Sequence, residues 1–386
     1  MWRAAGMLDL AVLSVFGFSG YAALLATAPL WAVNGGATAA GSGLVNGVLL
    51  TATVLAQLAV PRALVSWGTG RVLVAGLLLL GVPAPGYLLS DRLGWVLGLS
   101  AVRGLGFGIL TVVGSTVVAN LVPAGRRGAA IGVYGLSVAV PNLLLLPGSV
   151  PVVDRWGFGP VFWAAALPVL GVPSALRLAR VLRGASQVRP VGVDEGSQMR
   201  LRALSGIVPP TVVLFSVTMA GGAVLTFAPQ LTESATAALV LLIMGITAAV
   251  SRWLIGPLAD RRGARPFLAP ILTCAAAAMA VCAWAVAREQ GVVLIAAATA
   301  LGLCYGALQN LTLVVAFAAV GPQQLPTASA VWNIGFDAGT ASGAVLAGVL
   351  ATAYSFPVSL ATLAALCLLT AVVAVMVPSP RRATRR

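Results

Sequence analysis

Long apolar stretches separated by short polar turns run through the whole chain. In windows of about 19 residues, twelve stretches are long enough to cross a hydrocarbon core about 30 Å thick. The first six are Met7–Val33, Ser42–Val60, Val72–Leu89, Leu93–Leu121, Gly128–Val150 and Phe158–Leu178, and the second six are Leu204–Ala228, Ala235–Leu258, Phe267–Ala287, Gly291–Val320, Thr327–Ala351 and Phe356–Val377. The pattern predicts an all-α polytopic membrane protein with twelve transmembrane helices in two six-helix, pseudo-symmetric bundles.

The composition supports this class. Of the 386 residues, 60% are apolar and 8% are charged, and the mean hydropathy is +1.01. These values exclude a soluble domain of this size. The first stretch is too long for the apolar core of a signal peptide and lacks a small-residue cleavage site, so we interpret it as a transmembrane span.

A polar segment separates the two sets of spans. It contains Asp194 and Glu195 together with several arginines, a composition typical of a linker. The predicted domains are an N-terminal bundle over 1–180, a cytosolic linker over 181–203, a C-terminal bundle over 204–378 and a basic cytosolic tail over 379–386.

The arginines predict the orientation of the chain. All 23 cationic side chains are arginine. If both termini are cytosolic, 18 arginines fall on the cytosolic side and three on the outer side, while Arg103 and Arg252 lie within spans. This asymmetry follows the positive-inside rule. Because the Ala-, Gly- and Arg-rich composition is typical of a high-GC bacterium, we expect a multi-pass protein of the bacterial cytoplasmic membrane.

The net charge of +14 does not indicate nucleic-acid binding, because the cations are spread over short loops without interleaved aromatic residues. We expect contact with anionic lipid headgroups instead. The four cysteines lie in apolar spans without ligand-type spacing, so no metal, cofactor or disulfide is predicted. The sequence also predicts no catalytic constellation. A membrane-embedded enzyme or a non-transporting binding protein is the minor alternative.

The two halves resemble each other in sequence. Val122–Tyr134 is echoed by Val320–Trp332, and Leu105–Gly108 by Leu303–Gly306, at the same offset of 198 residues. Matches in order at a constant offset indicate a duplicated six-span unit. Such duplication is typical of transporters, whose binding site lies where the repeats meet.

The turn between the eighth and ninth predicted spans carries the most specific motif. The segment Gly256–Arg265 resembles the signature loop of the major facilitator superfamily. The resemblance implies a cytosolic gate made of Gly256, Asp260, Arg261, Gly263 and Arg265. Arg252 lies two helical turns before Asp260, so we expect it to latch to this loop rather than to contact substrate. The equivalent turn of the first half keeps Gly68 and Arg71 but has no acidic residue.

Two further segments resemble that superfamily. Arg103–Gly108 is similar to its fourth-span motif, in which an intramembrane arginine is linked to proton movement. Gly132, Gly135 and Pro141 loosely resemble the fifth-span motif associated with exporters. The resemblance covers essentially the whole chain and implies a secondary transporter of the drug or metabolite efflux type.

Asp337 is the one acidic residue of nine that lies deep inside a predicted span. An ionised carboxylate in hydrocarbon costs at least a few kcal/mol, so a chain that keeps one there is expected to use it. At about 1.5 Å per residue, Asp337 and Arg103 both lie near the bilayer midplane. The resemblance implies that Arg103 faces the central cavity. We expect Asp337 to be the proton-coupling carboxylate and Arg103 to be its partner. A structural ion pair between two helices is the alternative.

Polar and aromatic residues within the spans are candidates for a substrate cavity. They are Asn46, Gln57, Asn142, Tyr305, Gln309, Asn310, Trp332 and Asn333. For each of them a helix contact is the alternative. Gly335, Gly339 and Gly343 recur every four residues around Asp337 and predict a face that packs closely against another helix.

Together these features predict a monomeric secondary active transporter. Its partners are a small-molecule substrate, protons and membrane lipids. A cavity with one acid, one base, amides and aromatic rings suits a lipophilic or amphipathic organic compound. Proton-coupled efflux is the favoured function, and proton-coupled uptake of a small organic solute is the alternative.

Overall fold

The computed structural model describes residues 6–121, 127–184, 197–320 and 325–376, which form helices joined by short turns. The helices of the first half are α1 (Met7–Leu25), α2 (Thr27–Asn34), α3 (Ala39–Gly81), α4 (Leu93–Asn120), α5 (Arg127–Trp156), α6 (Gly159–Ala164) and α7 (Val172–Gly184). The helices of the second half are α8 (Ser197–Leu231), α9 (Ser234–Arg262), α10 (Arg265–Ala287), α11 (Gly291–Ala318), α12 (Leu325–Ala353) and α13 (Phe356–Met376). The middle of the predicted linker and the predicted tail lie outside the described residues.

The helices account for the twelve predicted crossings. Among the described residues, ten stretches are long and apolar enough to cross a membrane, and α13 provides a shorter apolar helix. The longest stretch, Ala39–Leu89, has 51 residues and folds back at Gly68. The backbones of Thr53 in its first arm and Gly76 in its second arm each lie against a glycine of α4. Because both arms flank the same part of α4, this stretch crosses twice, and the predicted fold class is confirmed.

Gly68 and Gly263 form equivalent turns in the two halves. Gly68 has φ 77° and ψ 157°, and Gly263 has φ 81° and ψ 153°. This region of backbone space is essentially restricted to glycine. The duplicated turn therefore needs glycine in both halves for the same steric reason.

Replacing Gly263 by Ala should destabilise the protein by about 1–3 kcal/mol, because the added methyl group makes the required backbone conformation unfavourable. The space around Gly263 is open, so the cost is one of backbone strain rather than of collision. Thermal unfolding of purified protein measures it. Gly256→Ala, inside α9, is the matched control and should be neutral or stabilising. Equal unfolding temperatures for both variants would contradict this explanation.

The two halves meet along two pairs of helices. α3 packs along α12, and α5 packs along α9. The contact between α3 and α12 is called the seam below. The two ends of the bundle are named after Gly36, which lies in the loop between α2 and α3, and after Gly68, where α3 folds back.

Hydrogen bonds tie the halves together at the Gly36 end. They run from the Ala40 N–H to Thr352 Oγ1 (2.7 Å), from Gln230 Nε2 to Ser42 Oγ (2.8 Å), from Asn46 Nδ2 to Thr226 Oγ1 (2.9 Å) and from Ser234 Oγ to Asp154 Oδ2 (3.0 Å). Small residues let the backbones approach, since a Cβ on Gly43 would collide with the carbonyl of Ala344. The bundle is therefore closed at this end.

The glycines around Asp337 pack against α8. A Cβ on Gly339 would meet the Phe215 backbone, and a Cβ on Gly343 would collide with the Met219 carbonyl. The predicted close helix packing is confirmed. Since a helix wedged against a neighbouring backbone cannot rotate freely, this contact fixes the direction in which Asp337 projects.

Candidate functional site

Asp337 lies near the middle of the seam. At about 1.5 Å per residue, it is roughly 18 Å from the start of α12 and roughly 24 Å from its end. Its side chain is 6% exposed. Its Oδ2 accepts a hydrogen bond of 2.7 Å from Nε2 of Gln57 on α3. This bond joins the two halves at a greater depth than the bonds at the Gly36 end.

Gln57 is the direct partner of Asp337. Its Nε2 also donates to Oγ1 of Thr111 on α4, at 3.3 Å. Its Oε1 is buried and has no hydrogen-bond partner among the described residues. A buried acceptor without a donor is unfavourable. When Asp337 is ionised, the Gln57–Asp337 pair therefore lacks one hydrogen-bond donor.

Two tyrosines surround the carboxyl group. The hydroxyl groups of Tyr21 on α1 and Tyr305 on α11 lie within electrostatic range of Asp337. Tyr21 stacks on Phe107, with ring centroids 3.9 Å apart and ring planes 5° apart. The Thr340 hydroxyl, one helical turn after Asp337, donates to the Phe336 carbonyl at 2.9 Å and lies near the Tyr305 hydroxyl. Side chains from both halves thus meet at the same depth.

Arg252 on α9 extends this polar group. Its Nη1 donates to Oε1 of Gln309 on α11 (3.1 Å), and its carbonyl oxygen accepts from Nδ2 of Asn310 (2.8 Å). The Tyr305 hydroxyl lies within electrostatic range of both Arg252 and Asp337. The guanidinium thus bonds to α11. Because the side chain of Asp260 lies outside the described part of the chain, the latch to the loop stays a prediction.

Arg103 lies away from Asp337, which corrects the predicted pairing. Its side chain is 0% exposed and points into the first half rather than into a cavity. Its Nε donates to the Leu80 carbonyl (3.2 Å) and its Nη2 to the Gly20 carbonyl (2.6 Å). The guanidinium also lies 5.7 Å from the ring centroid of Tyr87. The reason is that α4 turns this face toward α1 and α3, whose backbone carbonyls take the place of an anion.

Replacing Arg103 by Gln should lower the thermal stability of the protein and leave its proton coupling intact. Each charge-assisted hydrogen bond to a carbonyl contributes about 1.5–3 kcal/mol, and the shorter side chain loses both. The unfolding temperature and the pH-driven transport per folded molecule should be measured together. Lost coupling at an unchanged unfolding temperature would show that Arg103 acts on the proton site after all.

Several other predicted cavity residues make helix contacts. Asn46 is 1% exposed and ties the seam at the Gly36 end. Trp332 is 6% exposed, and its Nε1 donates to Thr312 at 3.0 Å. Asn142 and Asn333 each donate to a carbonyl four residues earlier in their own helices, at 2.8 Å. The predicted residues that the structure does bring to the central group are Gln57, Tyr305, Gln309 and Asn310.

The predicted gate residues flank the turn between α9 and α10. Gly256 lies inside α9, Arg261 is exposed in its last turn, and Arg265 begins α10. Gly263 makes the turn itself. The side chain of Asp260 lies outside the described part of the chain, so its gating role stays a prediction.

Sequence reasoning missed Tyr21 and Thr340. Thr340 follows Asp337 by three residues and therefore shares its helix face, a spacing that could have identified it. Tyr21 lies at the middle of the first predicted span, so its depth matched that of Asp337. What the sequence did not reveal is that α1 turns this tyrosine toward α12.

Two six-span halves that close at one end, with a buried carboxyl group at mid-depth where they meet, define a multi-pass membrane protein of the secondary-transporter class. The chain belongs to the major facilitator superfamily, whose family model matches residues 10–286 and 211–386. Membership makes the protein a transporter of a small molecule rather than an enzyme. A search of the curated proteins finds no match.

Solved structures of transporters share the fold. A bacterial homologue of the human lysosomal transporter Spinster, inward-facing and occupied, has a TM-score of 0.72 at 14% identity and covers 96% of this chain and 95% of its own. The nucleoside transporter NupG has a TM-score of 0.74 at 13% identity, with coverages of 96% and 98%. The peptide transporter POT in complex with sulfate has a TM-score of 0.74 at 15% identity, with coverages of 97% and 94%. At these identities the likeness establishes the fold alone.

Proposed function

We propose that the protein exports a small lipophilic or amphipathic organic compound across the bacterial cytoplasmic membrane in exchange for protons, by alternating access. It acts as a monomer surrounded by lipid, with both termini in the cytosol. The observation that carries the proposal is Asp337, a buried carboxyl group bonded to Gln57 across the contact between the halves. A carboxyl group in this position couples its protonation to the separation of the halves.

Protonation of Asp337 stabilises the closed seam. A buried carboxylate has lost its hydration, which costs free energy, and among the described residues no ion pair compensates Asp337. A neutral carboxyl group avoids this cost. Its O–H is also the donor that the buried Oε1 of Gln57 lacks. If the Gln57 amide were rotated by 180°, its oxygen would face an oxygen of Asp337. A proton on Asp337 would then be needed between the two oxygens as well.

Proton release then favours the opposite state. Arg62, Arg71, Arg261 and Arg262 lie at the Gly68 end, so by the positive-inside rule this end faces the cytosol. The closed seam thus belongs to a state that is open to the cytosol. Loss of the proton to the cytosol leaves a carboxylate that gains hydration when the Gly36 end opens. The protein then changes to its outward-open state with substrate bound and takes up the next proton from outside.

Transport by purified protein in liposomes tests this proposal. A panel of lipophilic and amphipathic compounds should be offered to vesicles whose lumen corresponds to the outside. We expect accumulation of one or more compounds in the lumen when the lumen is acidic, and no accumulation without the pH gradient. Accumulation in the opposite direction, together with protons, would assign uptake instead. Equal transport with and without the gradient would contradict proton coupling.

A further inference from the structure

Arg252 is held by neutral groups. Its Nη1 bonds to the Gln309 amide at 3.1 Å, and among the described residues no carboxylate pairs with it. Arg252 lies inside the apolar stretch Ser234–Gly256, where an arginine is expected to face protein or a water-filled cavity with a partner of opposite charge. One of its five N–H donors goes to Gln309. No hydrogen bond of the others to a described residue is present, so they can bind an anion.

The packing of α9 against α5 shows that Arg252 borders an opening between the halves. A Cβ on Gly245 of α9 would lie 3.0 Å from Leu143 of α5. Seven residues further toward the Gly68 end, on the same helix faces, lie Arg252 on α9 and Leu136 on α5. Both side chains are exposed, that of Leu136 at 60%. The two helices have therefore separated at this level, and Arg252 lies at the gap.

A different stripe of α9 carries its exposed apolar side chains. Ile246, Val250 and Trp253 are exposed at 44%, 45% and 77%, and they lie together on one face. Arg252 is turned about 100° away from Trp253, toward α11. Its exposure is consequently exposure to the gap between the halves and not to the lipid side.

An apolar crevice opens next to this gap. It has a volume of about 370 Å³ and lies between α1 and α5, where its lining includes Leu8, Val12, Phe16, Leu136 and Val140. Leu136 belongs both to the crevice and to the α5 face opposite Arg252. A molecule with its apolar part in the crevice can therefore place a charged end at Arg252.

We propose that Arg252, positioned by Gln309 and assisted by the Tyr305 hydroxyl, binds the carboxylate of an amphipathic organic anion whose apolar part lies in the crevice between α1 and α5. The planar guanidinium suits a carboxylate because it can donate two parallel hydrogen bonds. The tyrosine hydroxyl supplies a further donor. This inference rests on the transport function proposed above and names its substrate class.

Three matched probes test the inference on the full chain in maltoside micelles. They are naphthylacetate (an anion), naphthylethanol (neutral) and naphthylethylamine (a cation), and calorimetry measures their binding. The wild-type protein should bind the anion at least about tenfold more tightly than the neutral probe, as expected for hydrogen bonds to a charged group. Arg252→Gln should remove this preference and Arg252→Lys should keep part of it. Arg155→Gln, which changes an arginine stacked on Trp156, should have no effect.

Two results would overturn the inference. One is equal binding of the anion and the neutral probe by the wild-type protein. The other is retention of the anion preference by an Arg252→Gln protein whose thermal unfolding shows that it is folded. Displacement of naphthylacetate by phosphatidylglycerol would assign the site to a lipid headgroup and overturn it as a solute site. These measurements use no pH gradient and leave Asp337 intact. A result that refutes anion binding by Arg252 therefore does not refute proton coupling by Asp337, and a failure of proton coupling does not refute anion binding.

Discussion

Replacing Asp337 by Asn should abolish transport driven by a pH gradient while leaving the amount of folded protein unchanged. The amide has the same shape as a protonated carboxyl group and can exchange hydrogen bonds with Gln57, so the seam still closes. It cannot release a proton. Uphill accumulation of substrate should fall to background, a loss of at least about tenfold. The reason is that the described centre of the seam holds no other carboxyl group that could take over the proton. Exchange of substrate down its own gradient should continue.

Asp154→Asn is the matched control for this experiment. Asp154 also joins the two halves through a hydrogen bond, accepted from Ser234 at 3.0 Å, but it is exposed at the Gly36 end. Its carboxylate keeps its hydration, so removing the charge should leave pH-driven transport intact. Undiminished uphill transport by the Asp337→Asn protein would refute the coupling role, and a loss in both variants would point to a general effect of charge on closure.

Replacing Gly343 by Leu should strongly lower the amount of folded protein. The first added atom would collide with the Met219 carbonyl on α8, and backbone atoms cannot move aside as a side chain can. Overpacking of this kind costs about 1–3 kcal/mol or more. Each loss of about 1.4 kcal/mol lowers the ratio of folded to unfolded protein tenfold, so the amount of folded protein in the membrane should fall well below the wild-type level. Size-exclusion chromatography of a fluorescent fusion measures this yield.

Gly148→Leu provides the control for that substitution. Gly148 lies inside α5, and a Cβ added there would meet no atom within 4 Å. This variant should reach the membrane at nearly the wild-type level. If Gly343→Leu were equally well tolerated, the close contact between α8 and α12 would not be what orients Asp337.

Much of the fold follows from the sequence, because membrane spans are identified by length and hydropathy alone. The apolar stretches predicted each crossing that the described residues form, including the pair that the structure forms from the single helix α3. The turn at Gly68 was recognisable through its resemblance to the turn at Gly263. Both residues adopt a conformation that glycine tolerates best. The glycine strip around Asp337 likewise predicted a close contact.

The central group was predictable only in part. Asp337 could be identified because a lone carboxyl group in an apolar run is unusual. Its partner could not be identified, because counting residues along a helix gives the depth of a residue in the membrane and not the direction in which its side chain points. Arg103 and Asp337 have similar depths, yet α4 turns Arg103 toward the Gly20 and Leu80 carbonyls. The partner of Asp337 is instead the neutral Gln57.

The same limit applies to Arg252, whose partner on α11 the sequence did not predict. Its separation from Asp260 by eight residues favoured a latch along one helix. In the structure its guanidinium bonds to Gln309 on a neighbouring helix. Contacts between helices depend on how each helix is rotated about its axis. Hydropathy fixes that rotation poorly when, as in α9, apolar residues surround the helix on most sides.

The central claim, that Asp337 carries the transported proton, is tested most directly by measuring proton movement itself. Liposomes that contain the protein and a pH-sensitive dye should be given a compound that the transport assay has identified. The wild-type protein should move protons as soon as the compound is added. The Asp337→Asn protein should exchange the compound without moving protons. Proton movement of equal size in the two proteins would contradict the account.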